Sequence, residues 1–202
     1  MRYSLAMGPY KVKFRSLVRA IIKKYELDKK STKVLDIACA DGKHISLFSG
    51  MEYTGADKEP DLISECRIKH PNSTFFVADL EEEKKLTNEK FDFVVCTHTF
   101  AHISDQKKYT ALIHLANCAK KDGLVLLQVT RKDLPKVEGN IPASLIEMER
   151  RFYKGFISSV AENLFSDSWH LSRPGALINY LLQFIDFGKE NCIIVFKKVS
   201  LL

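Results

Sequence analysis

VLDIACADG, residues Val34–Gly42, is the stretch from which the rest of the chain is read. Its first half is apolar and its second half is almost entirely tiny residues. Lys33–Ala38 is therefore expected as a buried strand and Ala38–Gly42 as the loop that leaves it. Small residues let the backbone approach a ligand closely. A helix beginning at Lys43 would aim its free N–H groups at the same place. A small-residue loop on its own says little, and it gains weight from lying between a strand and a helix.

Working outward, the alternation repeats. Glu52–Asp57 is expected as a second strand, and Pro60 stands where a first helical residue belongs. Ser73–Ala78 and Phe91–Cys96 read as strands three and four. Ser104 or Asp105 can cap a helix whose stripe is Tyr109, Leu112, Ile113 and Ala116. Gly123–Thr130 is strand five, and the run Leu124–Leu127 suits burial on both faces. Strands alternating with helices predict a parallel sheet covered on both sides.

The flanks differ. Val12, Leu17, Val18, Ile21, Ile22 and Tyr25 recur at helical spacing, so Tyr10–Tyr25 is expected as an amphipathic helix and Asp28–Thr32 as a polar linker. Arg131–Gly175 carries no strand signal. Leu145, Met148, Phe152, Phe156, Val160 and Leu164 predict a helix there, which Gly155 would weaken by about 1 kcal/mol. Leu182–Phe187, the turn-like Gly188–Asn191 and Cys192–Lys198 read as an antiparallel hairpin.

Three predicted strand tips carry an acid: Asp36, Asp57 and Asp79. In an open α/β sheet, ligands bind outside the carboxyl ends of the strands, and an acid at the second tip can accept from ribose hydroxyls. A carboxylate at Asp79 can accept from an adenine amino group.

On these residues the chain resembles the class I S-adenosylmethionine-dependent methyltransferases, over about Val34–Thr130 and the closing hairpin. That family's first motif is D/E-x-G-x-G-x-G, and here it is D-I-A-C-A-D-G. Asp36 matches the acid, Gly42 the last glycine, and Ala38 and Ala40 stand for the first two. The resemblance implies an α/β, Rossmann-like three-layer sandwich: a mostly parallel seven-stranded sheet with an antiparallel last strand. It implies S-adenosylmethionine as methyl donor and S-adenosylhomocysteine as product. The implied donor contacts are Asp36, Ala38, Ala40, Asp41, Gly42, Asp57, Lys58, Ala78, Asp79, Leu80 and Thr97. Among these, Asp57 matches the ribose acid and Ala78-Asp79-Leu80 the adenine segment. Thr97–His102 would face the methyl group, and Lys121-Asp122-Gly123 takes the place of the K-P-G-G turn. The G-x-G-x-x-G fingerprint of NAD sites is not met, because the loop holds one glycine.

Methyl transfer from such a donor asks chiefly for positioning and exclusion of water. A general base is needed only when the acceptor arrives protonated. His98 and His102, in the loop after strand four, are the catalytic candidates. Trp169, His170 and Tyr153 are candidate substrate-binding residues in the helical cover expected at about 131–175. The loop reads Thr97-His98-Thr99-Phe100 and not N/D-P-P-Y/F, which argues by family analogy against exocyclic adenine amines and glutamine amides as acceptors.

A chain of 202 residues suggests one domain, with 1–32 as a basic helical arm of it and 33–202 as the donor-binding body. Residues 1–33 hold ten Lys/Arg against Glu26 and Asp28, a surplus of +8, while the rest carries −2. That arm suits an anionic partner. A small-molecule acceptor methylated on oxygen or nitrogen is the first expectation. RNA bound through the arm, or a non-catalytic S-adenosylmethionine-binding partner subunit, are the alternatives. Five cysteines without a C-x-x-C pair suit reduced thiols and no metal site, hence a cytoplasmic protein. No membrane partner is expected.

Overall fold

The computed structural model describes residues 8–154 and 190–200. Period-two alternation builds its centre. In β1 (Lys33–Ile37), Val34 faces one layer and Leu35 and Ile37 the other. Four further strands run parallel to it: β2 (Glu52–Asp57), β3 (Thr74–Val77), β4 (Phe91–Cys96) and β5 (Ala119–Thr130). β6 (Leu145–Lys154) and β7 (Glu190–Lys198) complete seven strands in the order β3-β2-β1-β4-β5-β7-β6. β7 is antiparallel to both neighbours, as the implied Rossmann-like fold requires.

Each face of the sheet has its own core. α1 (Gly8–Lys24) and α2 (Pro60–Lys69) cover one face, where Phe14, Val18 and Ile21 meet Val34, Phe93, Val95 and Leu126. α3 (Lys108–Cys118) and the short α4 (Leu134–Glu138) cover the other, where Leu112, Leu115 and Val137 meet Leu35, Val125 and Phe196. All five cysteines are buried. Gly55 in β2 admits the Phe75 ring, since a Cβ there would stand 2.7 Å from it.

Three expectations need correction. The helix expected after Gly42 is only a 3₁₀ turn at Ile45–Phe48, closed by Gly50 at φ 89°. The helix expected from Leu145 is the edge strand β6. A register shift between Glu147 and Glu149 places Met148 in a bulge, and the extra residue breaks the two-residue period. The remaining apolar spacing then imitates a helix. The partner of β7 on that side is β6 and not Leu182–Phe187, which lies outside the described residues together with Phe156, Val160 and Leu164. Strand five also starts earlier, at Ala119, and bends where Asp122 takes φ 64°. Among the described residues no helix is long and apolar enough to cross a membrane.

Candidate functional site

The carboxyl ends of β1, β2 and β3 converge on the loop after β1. Ala38 and Ala40 have φ of 61° and 49°, the left-handed region that glycine enters without strain. The loop thus keeps a glycine-type path with alanines in it. Gly42 follows at φ 74°. The Ala40 N–H donates to Asp57 Oδ2 at 2.9 Å, and the Glu59 N–H to Asp57 Oδ1 at 3.1 Å. Asp57 therefore ties the loop to the start of α2. Its backbone carbonyl accepts the Ala78 N–H at 3.0 Å, which joins the third tip to the second.

Beneath this loop Asp36 is wholly buried. One carboxylate oxygen, Oδ2, accepts the Tyr53 hydroxyl at 2.9 Å, and Oδ1 has no partner. Burial pushes its pKa up from 3.8 to about 7, against the opposing pull of the Tyr53 hydrogen bond and of Lys43. Burial of both thiols likewise holds Cys39 and Cys66 above the usual thiol range, and Cys66 Sγ donates to the Ala40 carbonyl at 3.3 Å. Asp41 Oδ1 accepts the Lys43 N–H at 3.3 Å, and Asp79 Oδ1 accepts the Glu81 N–H at 2.9 Å. Lys58 is exposed, and Leu80 turns into the core. Thr97 is buried at the end of β4.

The two catalytic candidates have different surroundings. His98 sits at φ 60° with its ring 5.6 Å from Phe14 and 6.1 Å from His44, the latter pair stacked. Phe14 and His44 are 5.2 Å apart, so the three rings form a triangle between α1 and the loops after β1 and β4. Burial, with Lys43 adding to it, lowers the His98 pKa from 6.5 to about 4. His102 is exposed at the end of a 3₁₀ turn, Phe100–His102. Tyr153 lies in β6 opposite Asn191 of β7. Trp169 and His170 lie outside the described residues.

Several residues that shape this region were not singled out from the sequence. The His98 N–H donates to Gln128 Oε1 at 2.7 Å, and Gln128 Nε2 donates to Asn191 Oδ1 at 3.1 Å. A lone amide inside the apolar strand LVLLQVT was the available signal. Lys108 is buried, and its ammonium donates to the carbonyls of Phe100 (2.9 Å) and Ile103 (2.8 Å), with Asp105 Oδ1 at 3.3 Å and Asp133 Oδ1 at 3.9 Å. It fastens the loop after β4, and nothing in the sequence marks it. Phe14 and His44 become recognisable only once α1 is seen to lie over the loop after β1.

A family model described as a methyltransferase domain matches residues 10–181. No curated protein matches the sequence. Among solved structures, the chain is similar to a TehB-like SAM-dependent methyltransferase from Corynebacterium glutamicum, with 18% identity and a TM-score of 0.59 over 94% of this chain and 96% of that one. It is similar to the N-methyltransferase NodS from Bradyrhizobium japonicum, solved with S-adenosyl-L-homocysteine, with 14% identity and a TM-score of 0.63 over 96% and 89%. PH0226 protein from Pyrococcus horikoshii gives 16% and 0.63 over 94% and 91%. At such identities the structures speak for the fold. The family match spans most of the chain, including the loop, Asp57 and the segment carrying His98, and by it the chain belongs to the methyltransferase domain family.

Proposed function

We propose that the chain is an S-adenosylmethionine-dependent methyltransferase acting on an oxygen or nitrogen atom of a small molecule. The observation that carries the donor assignment is Asp36: a buried carboxylate oxygen with no partner, beneath a loop of positive-φ residues. A buried polar atom left unmatched is costly, and an ammonium or N–H from a ligand would relieve it. The amino-acid part of S-adenosylmethionine carries such an ammonium. Asp57 uses two lone pairs on the N–H groups of Ala40 and Glu59. A carboxylate offers about four, so two remain for ribose hydroxyls. Asp79, Ala78 and Leu80 then border the adenine, while Ala38, Ala40, Asp41, Gly42, Lys58 and Thr97 border the rest of the donor. The residues fit the group.

S-adenosylmethionine supplies a methyl group on a positively charged sulfur. The protein's part is to hold donor and acceptor in line and keep water away, which is worth roughly 7–11 kcal/mol in favourable cases. His98, neutral at pH 7, is assigned to orient the acceptor with Phe14 and His44 beside it. His102, at the exposed rim, is the candidate for taking up a proton when the acceptor arrives protonated.

Calorimetric titration with S-adenosylhomocysteine tests the donor site. Wild type is expected to bind, and Asp57→Ala to lose at least about tenfold in affinity while staying folded, since charge-assisted hydrogen bonds are lost. No binding at about 1 mM, the weak end of the affinity scale, would overturn the proposal. Methyl-labelled donor incubated with separated RNA, protein and metabolite fractions tests the acceptor. An RNA acceptor is the second reading, favoured by six basic and no acidic residues in α1, with Arg19 and Lys23 exposed. It predicts steeply salt-dependent RNA binding.

A further inference from the structure

The ring triangle is bordered by positive charge that has no counter-ion among the described residues. Phe14 and Arg15 are neighbours on α1, and Lys43 and His44 are neighbours on the loop after β1. Arg15 bridges the two elements, its Nη2 donating to the Lys43 carbonyl at 3.1 Å. Its Nε is buried and has no hydrogen-bond partner. A guanidinium cannot shed its charge, so a buried N–H on it stays a donor in search of an acceptor. The Lys43 ammonium makes no ion pair among the described residues, and its field is felt at both His98 and Asp36. Of the other bases on α1, Lys24 is paired with Glu149 of β6, while Arg19 and Lys23 point to solvent. α1 itself brings six bases and no acid.

We infer that the acceptor is a small carboxylate, or an oxyanion of comparable shape, on a ring-sized apolar body, with Arg15 and Lys43 holding its charge and Phe14, His44 and His98 flanking its body. This rests on the methyltransferase reading above and names the substrate class for it. The chemistry of His98 agrees. An imidazole of pKa about 4 is a poor proton sink at neutral pH. An acceptor that arrives as an anion needs none. A lone pair of the carboxylate oxygen forms the new O–C bond, the S–C bond of the donor breaks, and its electron pair stays on sulfur. The carboxylate becomes a methyl ester, the sulfonium becomes a neutral thioether, and no proton moves. Planar guanidinium matches a carboxylate in two-point geometry, which a lone ammonium does not.

The test uses the full chain with S-adenosylhomocysteine bound, so that nothing turns over. Benzoate, benzamide and benzylammonium serve as probes of one size and three charges, titrated by calorimetry or by shifts of the His98 and His44 ring resonances. Benzoate is expected to bind at least about tenfold tighter than either other probe. Arg15→Gln is expected to abolish that preference and Arg15→Lys to restore part of it, with S-adenosylhomocysteine affinity held within about threefold. Equal affinity for the three probes, or no binding of any, overturns the inference while leaving the donor site standing. Failure of S-adenosylhomocysteine itself to bind overturns both. Preference for benzylammonium would assign the site to a cationic amine instead.

Discussion

Gln128 Oε1 accepts the backbone N–H of His98 at 2.7 Å, so a side chain from the middle of β5 holds a residue that is itself in a left-handed conformation at φ 60°. Asn191 of β7 holds the Gln128 amide in turn. Gln128 and Asn191 are both buried, so this chain of amides has no water to fall back on.

Gln128→Leu is expected to destabilise the fold by about 1–3 kcal/mol, because the His98 N–H loses its acceptor and Asn191 Oδ1 loses the Gln128 donor. Gln128→Glu retains an acceptor for the His98 N–H and should keep the loop in place. Urea unfolding gives the first number. The chemical shift of the His98 amide proton reads whether the hydrogen bond survives.

Asp36 sets a pH dependence. Its folded pKa, about 7, lies above the ordinary 3.8, so between those values the folded chain binds a proton that the unfolded chain has released. The stability it contributes is complete below pH 3.8 and is lost as pH rises through about 7. Asp36→Asn should remove this slope, making the variant the more stable of the two at pH 8 by an amount on the order of a few kcal/mol. Urea midpoints of wild type and variant from pH 4 to about pH 8 check it. A ligand ammonium at Asp36 would reverse the trend for binding, so S-adenosylhomocysteine affinity should rise as pH passes about 7.

His98 acts in the opposite sense. Its folded pKa, about 4, lies below the ordinary 6.5. The stability linked to its neutral form is full above 6.5 and falls as pH drops toward 4. NMR titration of the imidazole should show a midpoint near 4, whereas a midpoint near 6.5 would mean the ring is solvated.

Ala38→Gly and Ala40→Gly should relieve left-handed alanines. Relief of about 1–2 kcal/mol per site is partly offset by the greater freedom of glycine in the unfolded chain. The net gain is expected to be about 1 kcal/mol or less per site, read from thermal unfolding. Larger β-branched substitutions there should do the reverse.

Lys108→Met should cost about 3–5 kcal/mol, since it strands the carbonyls of Phe100 and Ile103 and leaves buried Asp133 without its cation. Limited proteolysis should then find a new cut in the loop after β4.

Much of this was legible in the sequence because the governing signals are local. The five parallel strands follow from short apolar runs such as Val34–Ile37 and Leu124–Leu127, and Pro60 marks the start of α2. Asp36 and Asp57 stand at strand tips, where position alone makes them candidates. What was hidden depends on tertiary neighbours. Met148 in its bulge hides the alternation of β6, so Leu145 and Phe152 looked helical. Lys108 looks like a surface lysine until its two carbonyl partners arrive from the loop before α3. The unmatched charge of Arg15 emerges only when α1 is laid against Lys43.

The Met148 bulge has a further consequence at the end of the sheet. β6 is an edge strand, and an edge with regular spacing is a template on which another chain can add a strand. The extra residue interrupts that spacing. Charged Glu147, Glu149, Arg150 and Arg151 surround it, all four tied in ion pairs with one another and with Glu138 and Lys24. Ile146 and Met148, both exposed, are thereby kept from forming a continuous sticky rim. The irregularity that disguised this strand in the sequence is also what guards the protein against edge-to-edge aggregation.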